Sequence, residues 1–241
     1  HGLLFADGSA GWSAEKVRKS QAAHGVGVIE VAESAGRWAV VRPSSYARRI
    51  TARTPMRITG PAAGSAAVKT AADPSGTEVL GTLNNCSHGY TPWGTFLTGE
   101  ENFNGYFVNR GTLTADHRRY GISAAGAGYR WHEFDTRFDA AIEANELNRF
   151  GYVVEIDPFA PNSVPTKRTA GPLAVGQIKV SRSSHVMPRR SQVSRKRRCV
   201  ASKSIPSYSW LPGTNNTGVG QPYLGEKWES PKFSSGSREP L

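Results

Sequence analysis

Two short stretches, Val26-Gly-Val-Ile-Glu-Val31 and Arg37-Trp-Ala-Val-Val41, are separated by the polar run Glu33-Ser-Ala-Gly36. Both are rich in β-branched or aromatic residues, and the run between them carries the small and glycine residues that tight turns need. The spacing predicts a β-hairpin. Immediately upstream, Ser13 precedes Ala14-Glu-Lys-Val-Arg-Lys-Ser-Gln-Ala-Ala23, with His24-Gly25 after it. A serine N-cap, an acid in the first turn and a glycine past the end predict one short helix there.

Working outward, a second strand pair is expected from Ala66-Ala-Val-Lys-Thr70 and Thr77-Glu-Val-Leu-Gly-Thr82 around the turn Asp73-Pro-Ser-Gly76. Further strands are expected at Thr95-Phe-Leu-Thr98 and Tyr152-Val-Val-Glu-Ile156. The 26 Gly and 15 Pro punctuate these elements at close spacing. The expected class is therefore all-β, with long loops and few short helices. No run of about 18 apolar residues is present, so no transmembrane segment or signal is visible in this chain.

The formal net charge of +11 is unevenly placed. Residues 1–157 hold 16 Lys+Arg and 16 Asp+Glu, whereas residues 158–225 hold 11 Lys+Arg and no acid. The basic excess therefore belongs to the later part of the chain and argues against a nucleic-acid surface on the neutral part. Cys86 and Cys199 make neither a disulfide framework nor a four-ligand zinc spacing. The chain contains no P-loop, no Gly-x-Ser-x-Gly elbow and no His-Glu-x-x-His pair, so any chemistry it performs is expected to be metal-centred.

The densest cluster of candidate ligands is Glu100-Glu-Asn102, just after an expected strand. Adjacent carboxylates repel unless a cation lies beside them, so the cluster reads either as a hard-cation site or as a solvated acidic loop. Glu155 and Asp157 alternate with Ile156 and are expected on one strand face, as weaker candidates. His88 and His132 read as ligands, proton relays or satisfied structural groups, and Cys86 as a small residue without activation. No catalytic residue is assigned.

Ten stretches also resemble the PhoX family of alkaline phosphatases, among them Ala22-Ala-His-Gly-Val26, Leu80-Gly-Thr-Leu-Asn-Asn-Cys86, Tyr90-Thr-Pro-Trp-Gly-Thr95, Glu100-Glu-Asn-Phe-Asn104, Asn148-Arg-Phe-Gly151 and Val154-Glu-Ile-Asp-Pro158. The resemblance runs over residues 1–170. It implies a partial β-propeller of antiparallel blades, a parent protein that is periplasmic or secreted, often by the twin-arginine route, and hydrolysis of small-molecule phosphate monoesters with calcium and iron. It places Glu100 and Glu101 at metal-ligand positions. Characterised members carry cysteine, an iron ligand, where this chain has Gly99.

Beyond residue 170 the family pattern stops, and residues 171–241 are expected to be a basic, Ser/Pro-rich tail that is disordered or read out of frame. The neutral part is then a phosphatase fragment, inactive as it stands. The alternatives are a metal-binding propeller module without catalysis, or a nucleic-acid binder using Arg195-Lys-Arg-Arg198, although no specific nucleic-acid partner is expected. If Glu100 and Glu101 hold calcium, replacing both by glutamine should spare the apo fold.

Overall fold

A computed structural model describes residues 5, 7, 8, 10–169 and 197–203. The chain divides into units His1–Tyr208 and Ser209–Leu241, and every described residue belongs to the first.

The helix α1 spans Ala14–Ala23, capped by the Ser13 side chain, which accepts from the Lys16 backbone N–H. It leads into β1 (Val26–Ser34) and β2 (Arg37–Val40), the expected hairpin. β3 (Arg48–Ile50) pairs with the start of β1, on the edge it shares with β2. The opposite edge of β1 is taken by β10 (Arg197–Lys203), antiparallel from Val26 to Ala32. Residues 197–203 are thus a strand inside the segment expected to lack stable structure. The rest of 171–241, Arg195 and Lys196 included, lies outside the described residues.

The second sheet has six strands in the order β5-β4-β9-β8-β7-β6. These are β4 (Pro55–Thr59), β5 (Glu78–Leu80), β6 (Asn85–Tyr90), β7 (Phe96–Glu100), β8 (Val153–Ile156) and β9 (Thr166–Arg168). Two expectations are corrected here. Ala66–Val68 is a 3-10 turn, not a strand, because side chains from far along the chain take its carbonyls: Asn145 Nδ2 donates to the Ala66 oxygen and Asn148 Nδ2 to the Ala67 oxygen. β5 pairs with β4 instead. Nor is the sheet antiparallel throughout, since β4 and β9 run parallel. β9 must return antiparallel to β8, and that direction matches β4. The architecture is all-β with few short helices, and these two sheets do not by themselves show a propeller.

The core lies between the sheets, α1 and the loops that follow β7. It is dominated by aromatics, with Trp131, Tyr106, Phe96, Phe107 and Phe138 all fully buried. Trp131 Nε1 donates to Ser20 Oγ at 3.1 Å, which satisfies the one polar atom of the largest core side chain. His24 sits beside it, 1% exposed, with Nδ1 2.7 Å from the Ser20 carbonyl and Nε2 2.9 Å from the Tyr106 hydroxyl. The carbonyl can only accept, so Nδ1 carries the proton and Tyr106 O–H donates to Nε2.

Burial lowers the His24 pKa to about 4, and the bond to Ser20 opposes that only in part. A folded-state pKa below the unfolded value means that the unfolded chain binds the proton first on acidification. The contribution of neutral His24 is therefore complete above about pH 6.5 and is lost as pH falls toward 4, amounting to about 3 kcal/mol. Urea titrations of wild type and His24→Gln at pH 7 and pH 4 should show the acid-dependent loss reduced by about that amount in the variant. Equal losses would refute the assignment.

Candidate functional site

β7 is a central strand, and four of its five residues are buried. Its last residue, Glu100, is held from three directions. Oε1 lies 2.8 Å from Lys167 Nζ, with both side chains wholly buried, and receives a long 3.4 Å bond from the Leu83 N–H. Oε2 accepts from the Gly151 and Tyr152 N–H groups at 3.0 and 3.2 Å. Four donors on two oxygens fill the acceptor capacity of a carboxylate. A glutamine at position 100 would leave buried Lys167 without its anionic partner, so the Gln pair at 100 and 101 is expected to cost stability rather than to spare the fold.

Lys167 comes from β9. Its ammonium also donates to the Arg149 carbonyl at 2.9 Å and sits 3.6 Å from the centroid of the Phe150 ring. Burial brings its pKa down to about 8, although the Glu100 carboxylate acts in the opposite sense. Burial together with the Glu100 charge pushes the Tyr152 phenol up.

Behind this pair lies a second buried group of charges. Arg149, 3% exposed at the side chain, bonds Asp73 Oδ2 at 3.2 Å, Glu146 Oε2 at 3.3 Å and Thr70 Oγ1 at 2.6 Å. Arg137 reaches Glu146 Oε1 at 2.9 Å and the Leu80 carbonyl at 2.9 Å. Asp73, Glu146 and Glu100 thus face Arg137, Arg149 and Lys167, three charges of each sign. Sequence reasoning missed this network. Its members are scattered along the chain, and only β9 beside β8 brings Lys167 to Glu100.

The other candidates lie apart. Glu101 is half-buried just past β7, its N–H bonded to the Asn84 carbonyl at 2.9 Å, and among the described residues nothing engages its carboxylate. Asn102 lies in the left-handed region at φ +43° and caps the 3-10 turn Phe103–Tyr106. Glu155 is buried: Oε1 accepts from Trp93 Nε1 at 2.9 Å and Thr95 Oγ1 at 2.7 Å, and Oε2 pairs with Arg168 at 2.6 Å. Burial alone would raise its pKa, but those bonds outweigh it and hold the carboxyl below its ordinary value. Asp157 lies one residue beyond the end of β8, with Oδ1 accepting the Phe159 N–H at 2.9 Å.

His88 lies on β6 and stacks on Phe96 at 6.2 Å. His132 lies in another loop, where burial and then Arg110 lower its pKa. Cys86 is exposed on β6. Among the described residues no three His, Cys, Asp or Glu side chains gather as a group able to hold a metal ion. With Glu100 and Glu155 saturated by donors, these residues do not fit a multi-ion centre on their own; among the candidates within the described residues, the Glu101 carboxylate and Asp157 Oδ2 keep open lone pairs.

A family model described as alkaline phosphatase PhoX matches residues 4–178, eight residues further than the visible resemblance. The chain is also similar to a solved structure, Pseudomonas fluorescens PhoX in complex with vanadate, a transition state analogue. Identity is 51% and the TM-score 0.66, over 68% of this chain and 29% of that one. The chain thus spans less than a third of the length of that relative. No curated protein matches. A family model covering most of the chain, agreeing with a fold match at this identity, makes the conclusion direct: the chain belongs to the PhoX family of alkaline phosphatases.

Proposed function

We propose that this chain forms part of a secreted or periplasmic phosphatase that hydrolyses small-molecule phosphate monoesters with the help of bound metal ions. The observation that carries the reading is the 51% identity to a relative held with vanadate, described there as a transition state analogue. Phosphoryl transfer asks a protein mainly to position the reactants and to stabilise spread negative charge, which hard cations on oxygen ligands supply. Within this chain the ligand assigned is Glu101, with Asn102 beside it and Asp157 as a weaker oxygen donor. Calcium is the ion that this chemistry suits. Iron has lost its thiolate partner at Gly99. The two sheets are read as part of a β-propeller, and among the described residues no helix is long and apolar enough to cross a membrane.

The 241 residues by themselves are expected to give no turnover of p-nitrophenyl phosphate above background, even with calcium and ferric iron supplied. Among the described residues no three candidate ligands gather, and ions that are not held at fixed separations cost orders of magnitude in rate. Chelator-sensitive turnover by this chain, abolished in Glu101→Gln, would overturn the expectation of inactivity and strengthen the phosphatase reading. A metal-binding module without catalysis is the second reading, favoured by Gly99.

Calcium binding is tested separately. At about 100 times the dissociation constant, calcium should stabilise the wild type by about 2.7 kcal/mol. Glu101→Gln should remove that gain and leave the apo melting temperature nearly unchanged, because its carboxylate has no partner to lose among the described residues. An undiminished calcium shift in Glu101→Gln rejects the assignment.

A further inference from the structure

We propose that the Lys167–Glu100 pair is a register lock: it selects which residues of β9 stand opposite β8 and β4, a choice that the strand's other side chains leave open.

A strand is ordinarily held in place by an apolar pattern that one face must bury, and a strand without that pattern slides easily. β9 has none. Its buried positions run Pro165, Lys167, Thr169 and its outer ones Thr166, Arg168, yet it lies inside the six-stranded sheet, between β4 and β8. In the observed register Lys167 stands opposite Val154, Thr166 opposite Glu155 and Arg168 opposite Val153. A slip of one residue would turn Lys167 to the outer face.

A slip of two keeps the faces and is the alternative to be excluded. In one direction it sets Pro165 opposite Val154, where a residue without an N–H cannot serve the ladder. In the other direction it sets Thr169 there, and the outer face does not object: Arg168, which now reaches Glu155 along a diagonal at 2.6 Å, would come directly opposite it. The cost falls on the inner face. Glu100, wholly buried, would face a hydroxyl in place of the Lys167 ammonium now at 2.8 Å, and that ammonium would leave the Arg149 carbonyl and the Phe150 ring. Two buried charges left unpaired disfavour the slipped form by about a hundredfold or more. Two other features compete for the same role: Arg48 clamps the connection from β8 to β9 by bonding the Asp157, Pro161 and Ser163 carbonyls, and Thr169 Oγ1 donates to the Thr59 carbonyl at 2.7 Å.

The test moves the lysine two positions along the same face, in Lys167→Thr combined with Thr169→Lys, within the full 241-residue chain. Cross-strand nuclear Overhauser contacts to Val154 read the register, with position 167 marking the observed one and position 169 the slipped one. The wild type should show position 167 alone. The transposed variant should show position 169, the strand having followed its lysine. A second variant, Glu100→Gln with Lys167→Thr, removes both charges and leaves the same side chain at positions 167 and 169. Both registers should then appear, the slipped one in about a tenth of the molecules or more. Contacts from position 167 alone in either variant would overturn the proposal, because the Arg48 clamp or the Thr169 bonds would then set the register. Failure of both variants to fold would overturn it as well, making the pair a requirement of the sheet and not a choice of its register.

Discussion

Gly81→Ala is expected to lower stability by about 4 kcal/mol, enough to leave a chain of ordinary stability largely unfolded on mild heating. Gly81 follows β5 at φ +84°, and its backbone lies against Ala52, which is itself buried. A methyl group at that Cα would stand 2.0 Å from the Ala52 carbonyl oxygen, 2.1 Å from its carbon and 2.5 Å from its Cα. All three are main-chain atoms at the junction that leads from β3 into β4, so no side-chain rotation relieves the contact. The expected loss combines left-handed strain of about 1–2 kcal/mol with an overpacking cost of about 1–3 kcal/mol. Gly36 separates the two. It has φ +76°, and a methyl group added there would meet no atom within 4 Å, so Gly36→Ala should show the strain alone, about 1 kcal/mol. Urea denaturation of both variants reads the difference directly; equal losses would mean that the close approach to Ala52 is wrong.

Arg149→Met should be comparably severe, at about 4 kcal/mol near neutral pH. The guanidinium is 3% exposed and is shared by Asp73 and Glu146, whose side chains are 11% and 6% exposed. Glu146 retains Arg137, but Asp73 loses its cation while staying partly enclosed. In the native protein burial raises the Asp73 pKa, yet hydrogen bonds from Ser75 and backbone N–H groups, with the Arg149 charge, hold it below its ordinary value. That depressed pKa supplies stability above the unfolded carboxylate range, and the contribution is lost as pH falls. Without Arg149 the carboxyl accepts a proton more readily, so the difference between wild type and variant should narrow as pH is lowered from about 7 to about 4. A loss under about 1 kcal/mol at neutral pH, or one that does not narrow in acid, contradicts the role given to Arg149.

Local chemistry made part of this fold legible in the sequence. Ser13 and Glu15 announced α1, and the β-branched runs around Ala35-Gly36 announced β1 and β2, because caps and turns act through residues a few positions apart. Ala66–Val68 failed as a strand for the opposite reason: what satisfies its carbonyls is Asn145 and Asn148, which no local pattern connects to it. The same distinction divides the site. The acidic run at 100–102 was visible as a cluster of oxygen donors, but whether Glu100 faces a cation or an ammonium depends on Lys167 in β9, and nothing in the sequence around either residue pairs them. Glu155 likewise stands in the sequence as a spare carboxylate, whereas in the fold Trp93, Thr95 and Arg168 saturate it.

The parallel seam between β4 and β9 also sets an order of events. Thr59 Oγ1 donates to the Lys167 carbonyl across 108 residues of chain, so β4, already paired with β5, is synthesised long before the strand that pairs with its other edge exists. Closing so long a loop comes before any reward from the contacts it makes, which places this seam late in folding and slows it. On the ribosome, at about 5–20 residues per second, the nascent sheet would wait on the order of ten seconds with an open edge. The interval in which this protein is most exposed to aggregation is therefore written into its strand order, and it ends only when β9 arrives.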